Sequence, residues 1–191
     1  ASGTGGHIYP ALALADSLSD TWKIEWLGVP NRLEVELVPE KYNLIILKVG
    51  GLQGNIFRKI FELCKLIFSS FQVSILLRKK KIDVIFTTGG YISAPSIIGA
   101  KLTGIPVLLH ESNAIPGKVS RLLGGFCDHV ALGIPSSSAF LPGCKTSFTG
   151  TPVRSEFFLK KPLPVWAPSG EGLLIVVMGG SQGAKKMNEM V

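Results

Sequence analysis

Gly3-Thr4-Gly5-Gly6-His7 places a hydroxyl, two adjacent glycines and an imidazole within five residues, directly ahead of Ile8-Tyr9-Pro10 and an Ala/Leu-rich run. Paired glycines let a backbone come close to a ligand and reach angles that other residues resist. Pro10 suits the first turn of a helix, where its missing N–H is no loss. Together they would bring backbone N–H groups and a helix N-terminus to one spot, which favours an anion such as a phosphate. His7 is the candidate for proton chemistry, because an imidazole can take up or release a proton near neutral pH. Two roles are open to it, general base and phosphate holder, with a purely structural role as a weaker third.

Three further strand-like runs end in similar chemistry. Asp83–Thr88 leads into Gly89-Gly90-Tyr91, Ile105–His110 into Glu111-Ser112-Asn113, and Gly172–Met178 into Gly179-Gly180-Ser181-Gln182-Gly183. In open parallel α/β sheets ligands bind past the carboxyl ends of the strands, where such turns collect. Tyr91 and Gly90 suit a phosphate pocket. Glu111 could orient Asn113 or assist His7 electrostatically, whereas Arg154 taken alone reads as an exposed linker arginine. His110 ends an apolar strand and reads as a satisfied core histidine or an orienting partner for Glu111; His129 reads as having no role.

Strands and helices alternate along the chain, which argues for a parallel sheet covered by helices. Helices are expected at 11–18 and about 56–78, with a short one capped by Asn31 and Glu34. Strands are expected at 23–28, 43–49, 84–87, 107–110, 129–132 and 146–148, the last four buried on both faces as parallel strands usually are. Residues 1–158 read as a Rossmann-like domain lacking its first strand, 159–171 as a Pro/Gly-rich linker, and 172–191 as the start of a second α/β domain. The 191 residues, 46% hydrophobic, are expected to be a fragment of a longer protein. Cys64, Cys127 and Cys144 form no CxxC pair, which fits a reducing compartment and argues against metal binding. A dinucleotide-binding reading fits badly, since the first turn is not GxGxxG and Trp26-Leu27-Gly28 stands where an acidic residue should end the next strand.

Five motifs occur in one order: Gly3–His7, Gly89–Tyr91 with Ser93 and Pro95, His110–Asn113, Gly150-Thr151-Pro152-Val153-Arg154, and Gly179–Ala184. In this the whole chain resembles the GT-B glycosyltransferases that make lipid II for bacterial peptidoglycan. The resemblance implies an α/β enzyme of two Rossmann-like domains facing across a cleft. It would move N-acetylglucosamine, with inversion, from UDP-GlcNAc to undecaprenyl-diphospho-muramoylpentapeptide (lipid I) at the cytoplasmic face of the inner membrane, without a cofactor or metal. It places Thr4, Gly5, Gly6, Asn113, Arg154 and Ser181 on the UDP-GlcNAc side. His7, Gly90 and Tyr91 fall on the acceptor diphosphate, and His7 and Glu111 become the catalytic candidates. Thr151 and Ser112 depart from the residues common in the family, but neither is a proposed contact. The alternatives are another lipid-directed UDP-sugar transferase of the same architecture, or a non-catalytic membrane-anchoring half that needs a separate donor-binding chain.

Charge is concentrated between Arg58 and Asp83, where five of the formal +7 accumulate. Ile56, Phe57, Ile60, Phe61, Leu63, Ile67, Phe68 and Phe71 are interleaved with it, too many to face one core from a single helix. The longest uncharged run, Leu66–Leu77, falls short of the roughly 20 residues that cross a bilayer. Surplus apolar surface beside cations fits a helix lying on an anionic leaflet; a core helix with a solvated basic end is the alternative. Nucleic acid is a poorer partner, since Phe and Ile do not read bases.

Overall fold

A computed structural model describes residues 4–30, 32–47 and 56–159, with side chains from 61 onward in the last stretch, and positions 162, 165, 167, 170, 172, 174–176 and 189. The chain divides into two compact units, 1–154 and 155–191.

The first unit alternates helix and strand: α1 (Gly5–Ser17), β1 (Glu25–Gly28), α2 (Glu34–Leu37), β2 (Asn43–Ile46), α3 (Ile56–Lys80), β3 (Ile85–Thr87), α4 (Ser93–Thr103), β4 (Val107–Glu111), α5 (Lys118–Leu123), β5 (His129–Leu132) and β6 (Thr146–Phe148). Every strand pairing is parallel. The strands form two sheets, β1-β2 and β3-β4-β5-β6, where alternation alone suggests one. The facing parts of β1 and β3 line a cavity of about 470 Å³ with Trp26, Leu27, Ile85 and Phe86. Hydrophobic contacts still bridge the two sheets, since Leu27 packs against the larger core and Phe86 against the smaller one.

The larger core joins Val73 and Leu77 of α3, Ile97 and Ala100 of α4, and Val107, Leu109, Val130 and Leu132 of the central strands. The smaller joins Ile8, Leu12 and Ala15 of α1 to Trp26, Val38 and Tyr42. On α3 the buried positions Ser69, Ser70, Val73, Ser74 and Leu77 recur at helical spacing, so one narrow face meets α4. That contact is close. A Cβ on Gly99 of α4 would lie 2.8 Å from Val73 Cγ1 and 2.9 Å from the Ser70 carbonyl oxygen.

Several local expectations are corrected. α1 begins at Gly5, not Ala11, and Pro10 lies inside it. Thr4 is extended (φ −134°, ψ 158°), and its carbonyl accepts from the N–H of both His7 and Ile8, which starts the helix before the proline. Pro10 then forfeits only the bond to the Gly6 carbonyl. Glu34 does not complete a capping box: α2 is preceded by Leu33, and the fully buried Glu34 carboxylate accepts from Val29 N–H at 2.8 Å. Asn31 lies outside the described residues, as do 48 and 49 of the expected second strand. β6 is an edge strand with Phe148 63% exposed, so it is not buried on both faces. Among the described residues it has a strand neighbour on one side only. In the second unit a short 3-10 turn spans Ser155–Phe158. The stretch 174–176, expected within a strand, has no strand structure, and no strand is described in this unit that could pair with it.

Candidate active site

Three connections meet at the carboxyl ends of β3 and β4. His7 from the first turn of α1, Gly89-Gly90-Tyr91 from the β3–α4 turn, and Glu111, Asn113, Gly117, Lys118 and Ser120 from the β4–α5 connection line a cleft of about 290 Å³. Thr4, Gly5 and Gly6 share the helical turn of His7. The first N–H groups of a helix have no acceptor within it and carry the positive end of its dipole. The glycines therefore belong to the first turn of the helix itself rather than to a turn ahead of it.

His7 is clasped to the end of β3. Its Nδ1 lies 2.6 Å from the Thr88 carbonyl oxygen, and Thr88 Oγ1 donates to the His7 carbonyl at 2.7 Å. Gly89 follows with φ +89° and Gly90 with φ +82°, angles that favour glycine. A Cβ on Gly89 would stand 3.4 Å from His7 Cε1, so a side chain there would reach the ring. The turn is locked on its far side: Ser93 Oγ donates to the Gly89 carbonyl at 2.5 Å and contacts Thr87 Oγ1. Tyr91 projects from this turn, 53% exposed.

Glu111 is 2% exposed, and both its oxygens are engaged within its own connection. Oε1 accepts from Asn113 N–H at 3.0 Å and from Asn113 Nδ2 at 2.7 Å; Oε2 accepts from Gly117 N–H at 3.1 Å. The carboxylate thus sets the path of 111–117 and the direction of the Asn113 amide. With its nitrogen turned to Glu111, Asn113 keeps its amide oxygen free to accept from a ligand.

His110 is buried beside it. Its Nε2 donates to the Gly150 carbonyl at 3.0 Å, and its Nδ1 accepts from Ser112 Oγ at 3.3 Å. That bond ties β4 to the turn at Gly150 (φ +71°), four residues before Arg154. The Arg154 guanidinium lies 4.4 Å from the centre of the Tyr9 ring, and a Cβ on Gly5 would lie 3.1 Å from the same ring. Tyr9 therefore stations a cation beside the first turn of α1. The His129 ring bonds Ser147 Oγ at the surface, at 2.9 Å, away from the cleft-lining residues. Ser181 lies outside the described residues. Among the described residues no group of His, Cys, Asp and Glu could hold a metal ion.

Thr88, Tyr9, Lys118 and Ser120 were not singled out in the sequence. Thr88 works through its carbonyl, and Tyr9 through its place one helical turn beyond Gly5.

A parallel α/β unit with its cleft past the strand ends, built on glycine turns and a helix N-terminus, defines a Rossmann-like domain suited to a phosphate-bearing ligand. The chain belongs to glycosyltransferase family 28: residues 1–132 match that family's N-terminal domain. It is 81% identical over all 191 residues to a UDP-N-acetylglucosamine–N-acetylmuramyl-(pentapeptide) pyrophosphoryl-undecaprenol N-acetylglucosamine transferase of Prochlorococcus marinus strain NATL1A, covering 54% of that protein. To the transferase of the same description from Synechococcus sp. strain WH7803 it is 56% identical over its whole length, covering 53%. The chain spans about half the length of the curated relatives it matches. Among solved structures, MurG of Acinetobacter baumannii superposes with a TM-score of 0.65 at 30% identity, over 78% of this chain and 43% of the other.

Proposed function

We propose that this chain is the acceptor-side half of a glycosyltransferase that moves N-acetylglucosamine from UDP-GlcNAc to lipid I, giving lipid II. One observation carries the reading. The cleft gathers an imidazole, a helix N-terminus and a loop-fixed amide at the strand ends, in a chain 81% identical to a transferase of that description. In the reaction an acceptor phosphate oxygen forms a bond to the anomeric carbon while the bond from that carbon to the UDP oxygen breaks, inverting the centre. Any proton on the attacking phosphate passes to His7.

The other residues position. Asn113 offers an acceptor to a sugar hydroxyl, and Glu111 acts by holding Asn113 and Gly117 rather than by exchanging protons. Thr4, Gly5 and Gly6 supply the helix N-terminus, with Arg154 beside them for the donor diphosphate. Gly90 and Tyr91 face the acceptor diphosphate. Ser181 and the uridine pocket belong to the donor-binding domain, of which 172–191 is the beginning, with 159–171 as the linker.

The same half rests on the anionic leaflet at the cytoplasmic face of the inner membrane. α3 turns Phe61, Ile67, Phe68, Phe71 and Ile75 to solvent, each more than half exposed, opposite the face that meets α4. Lys65 lies 5.2 Å from the centre of the Phe61 ring, and Arg78, Lys79 and Lys80 close the helix. No helix among the described residues is long and apolar enough to cross a membrane. A stripe of this kind suits the interface plane.

The experiment is turnover of UDP-GlcNAc with a lipid I analogue by the full-length enzyme and its His7→Ala variant. Loss of kcat by roughly 10²–10⁴ with donor KM near normal is expected of a base. A rise in acceptor KM alone would assign His7 to phosphate binding. Less than threefold change in either would remove His7 from the reaction.

A further inference from the structure

We propose that the Thr88 carbonyl holds neutral His7 in its Nδ1–H tautomer, so that Nε2 enters the cleft as a lone pair and never as an N–H donor while the ring is neutral. This rests on the reading that His7 faces the substrates. A carbonyl oxygen can only accept, so a 2.6 Å contact to Nδ1 requires the hydrogen there. A neutral imidazole carries one N–H, and Nε2 is left bare.

The contact has little freedom to change. Thr88 is 2% exposed, and its hydroxyl returns a bond to the His7 carbonyl, so the two residues, 81 positions apart, are fastened in both directions. Turning the ring over would present a carbon to the Thr88 oxygen and lose the bond. Nε2 itself makes no hydrogen bond among the described residues.

The consequence divides two roles that are otherwise hard to separate. With its lone pair in the cleft, neutral His7 accepts a proton from an acidic phosphate hydroxyl but has nothing to donate to a phosphate oxyanion. Only the imidazolium, with hydrogen on both nitrogens, can hold an anion through Nε2. Base and phosphate holder are therefore two protonation states of one fixed ring rather than two orientations of it. Thr88 is the positioning residue that makes this so, through its main chain.

The test is ring ¹⁵N NMR on the full-length protein with labelled histidine, at a pH where the ring is neutral, with His7→Gln assigning the resonances. The expected result is a pyrrole-type Nδ1 and a pyridine-type Nε2. Thr88→Val, which removes the hydroxyl and keeps the carbonyl, is expected to retain that pattern. A pyrrole-type Nε2, or averaged resonances from two exchanging tautomers, would overturn the proposal. The readout is independent of turnover: an Nε2–H ring in an active enzyme sinks the tautomer alone, whereas an Nδ1–H ring in a protein without transferase activity upholds it and sinks the function.

Discussion

Replacing Glu111 by Gln keeps the size of the side chain and converts one acceptor oxygen into a donor. Glu111 is 2% exposed and accepts from three N–H groups, two on Oε1 and one on Oε2. If the amide oxygen takes the Oε1 place, both Asn113 bonds survive in weaker, uncharged form, and the new NH₂ confronts Gly117 N–H. The opposite orientation sacrifices both Asn113 bonds. Hydrogen bonds to a charged group contribute about 1.5–3 kcal/mol, and the first orientation loses one outright. Asn113 and Gly117 are themselves exposed, so water can replace some of what is lost. We therefore expect destabilisation of about 1.5–3 kcal/mol for Glu111→Gln. For a domain of this size that lowers Tm by about 3–12 °C. Differential scanning calorimetry of the full-length protein measures it, and donor KM reports whether Asn113 has lost its direction. A Tm within 1 °C of the parent, or a kcat collapse at unchanged stability and KM, would refute a positioning role and restore a chemical one.

Three other outcomes are expected. Gly99→Ala should destabilise by about 1–3 kcal/mol through overpacking, seen as a lower unfolding midpoint, because its Cβ would meet Val73 and the Ser70 carbonyl at under 3 Å. Burial first, then the neighbouring Cys144 and Asp128, pushes the Cys127 thiol up to about 12. Its protonated form is thus favoured in the fold; that contribution is full below pH 9 and fades as pH rises toward 12. At pH 8 a thiol reagent should label exposed Cys64 and spare Cys127 until the protein unfolds, which mass spectrometry of the labelled protein would check. In vesicle sedimentation, Phe68→Ser with Phe71→Ser should weaken binding to anionic bilayers roughly tenfold or more, since each exposed ring removes about 1 kcal/mol of apolar transfer. Lys79→Glu, a change of two charges, should add about 2 kcal/mol that high salt erases. Lys80 is the poorer choice for that test, because it pairs with Glu25 at 3.0 Å.

How far the residues foretold this arrangement depends on which forces were local. β5 and β6 fall where the apolar runs place them, at His129–Leu132 and Thr146–Phe148, and α3 runs two residues past its expected end. The start of α1 was illegible because glycine is a poor helix former. What holds the first turn of α1 in place is tertiary: the end of β3 grips His7 through Thr88. Glu34 carries a capping spacing, yet its buried carboxylate serves the Val29 N–H, five residues earlier. His7, Asn113, Gly90 and Tyr91 could be read because their side chains or torsions are distinctive. Thr88 could not, because its working atom is a main-chain oxygen that every residue has. The division into two sheets was equally hidden, since alternation signals strands and their direction but not which edges meet.

The seam between α3 and α4 has one more consequence. Because Gly99 lets Val73 and the Ser70 carbonyl come so near, and the other buried positions beside them on α3 include the small Ser69 and Ser74, the two helices lie close, with the bulky exposed side chains of α3 on its far side. α4 starts at Ser93, whose hydroxyl is bonded to the Gly89 carbonyl of the cleft. The apolar stripe and the imidazole are thus the two ends of one short mechanical linkage, made of a helix pair and a locked turn. With the stripe on a lipid surface, as proposed above, the height of His7 above that surface would follow, like the stylus of a fixed arm. A lipid-borne diphosphate would then be met at a depth set by small side chains that never touch it.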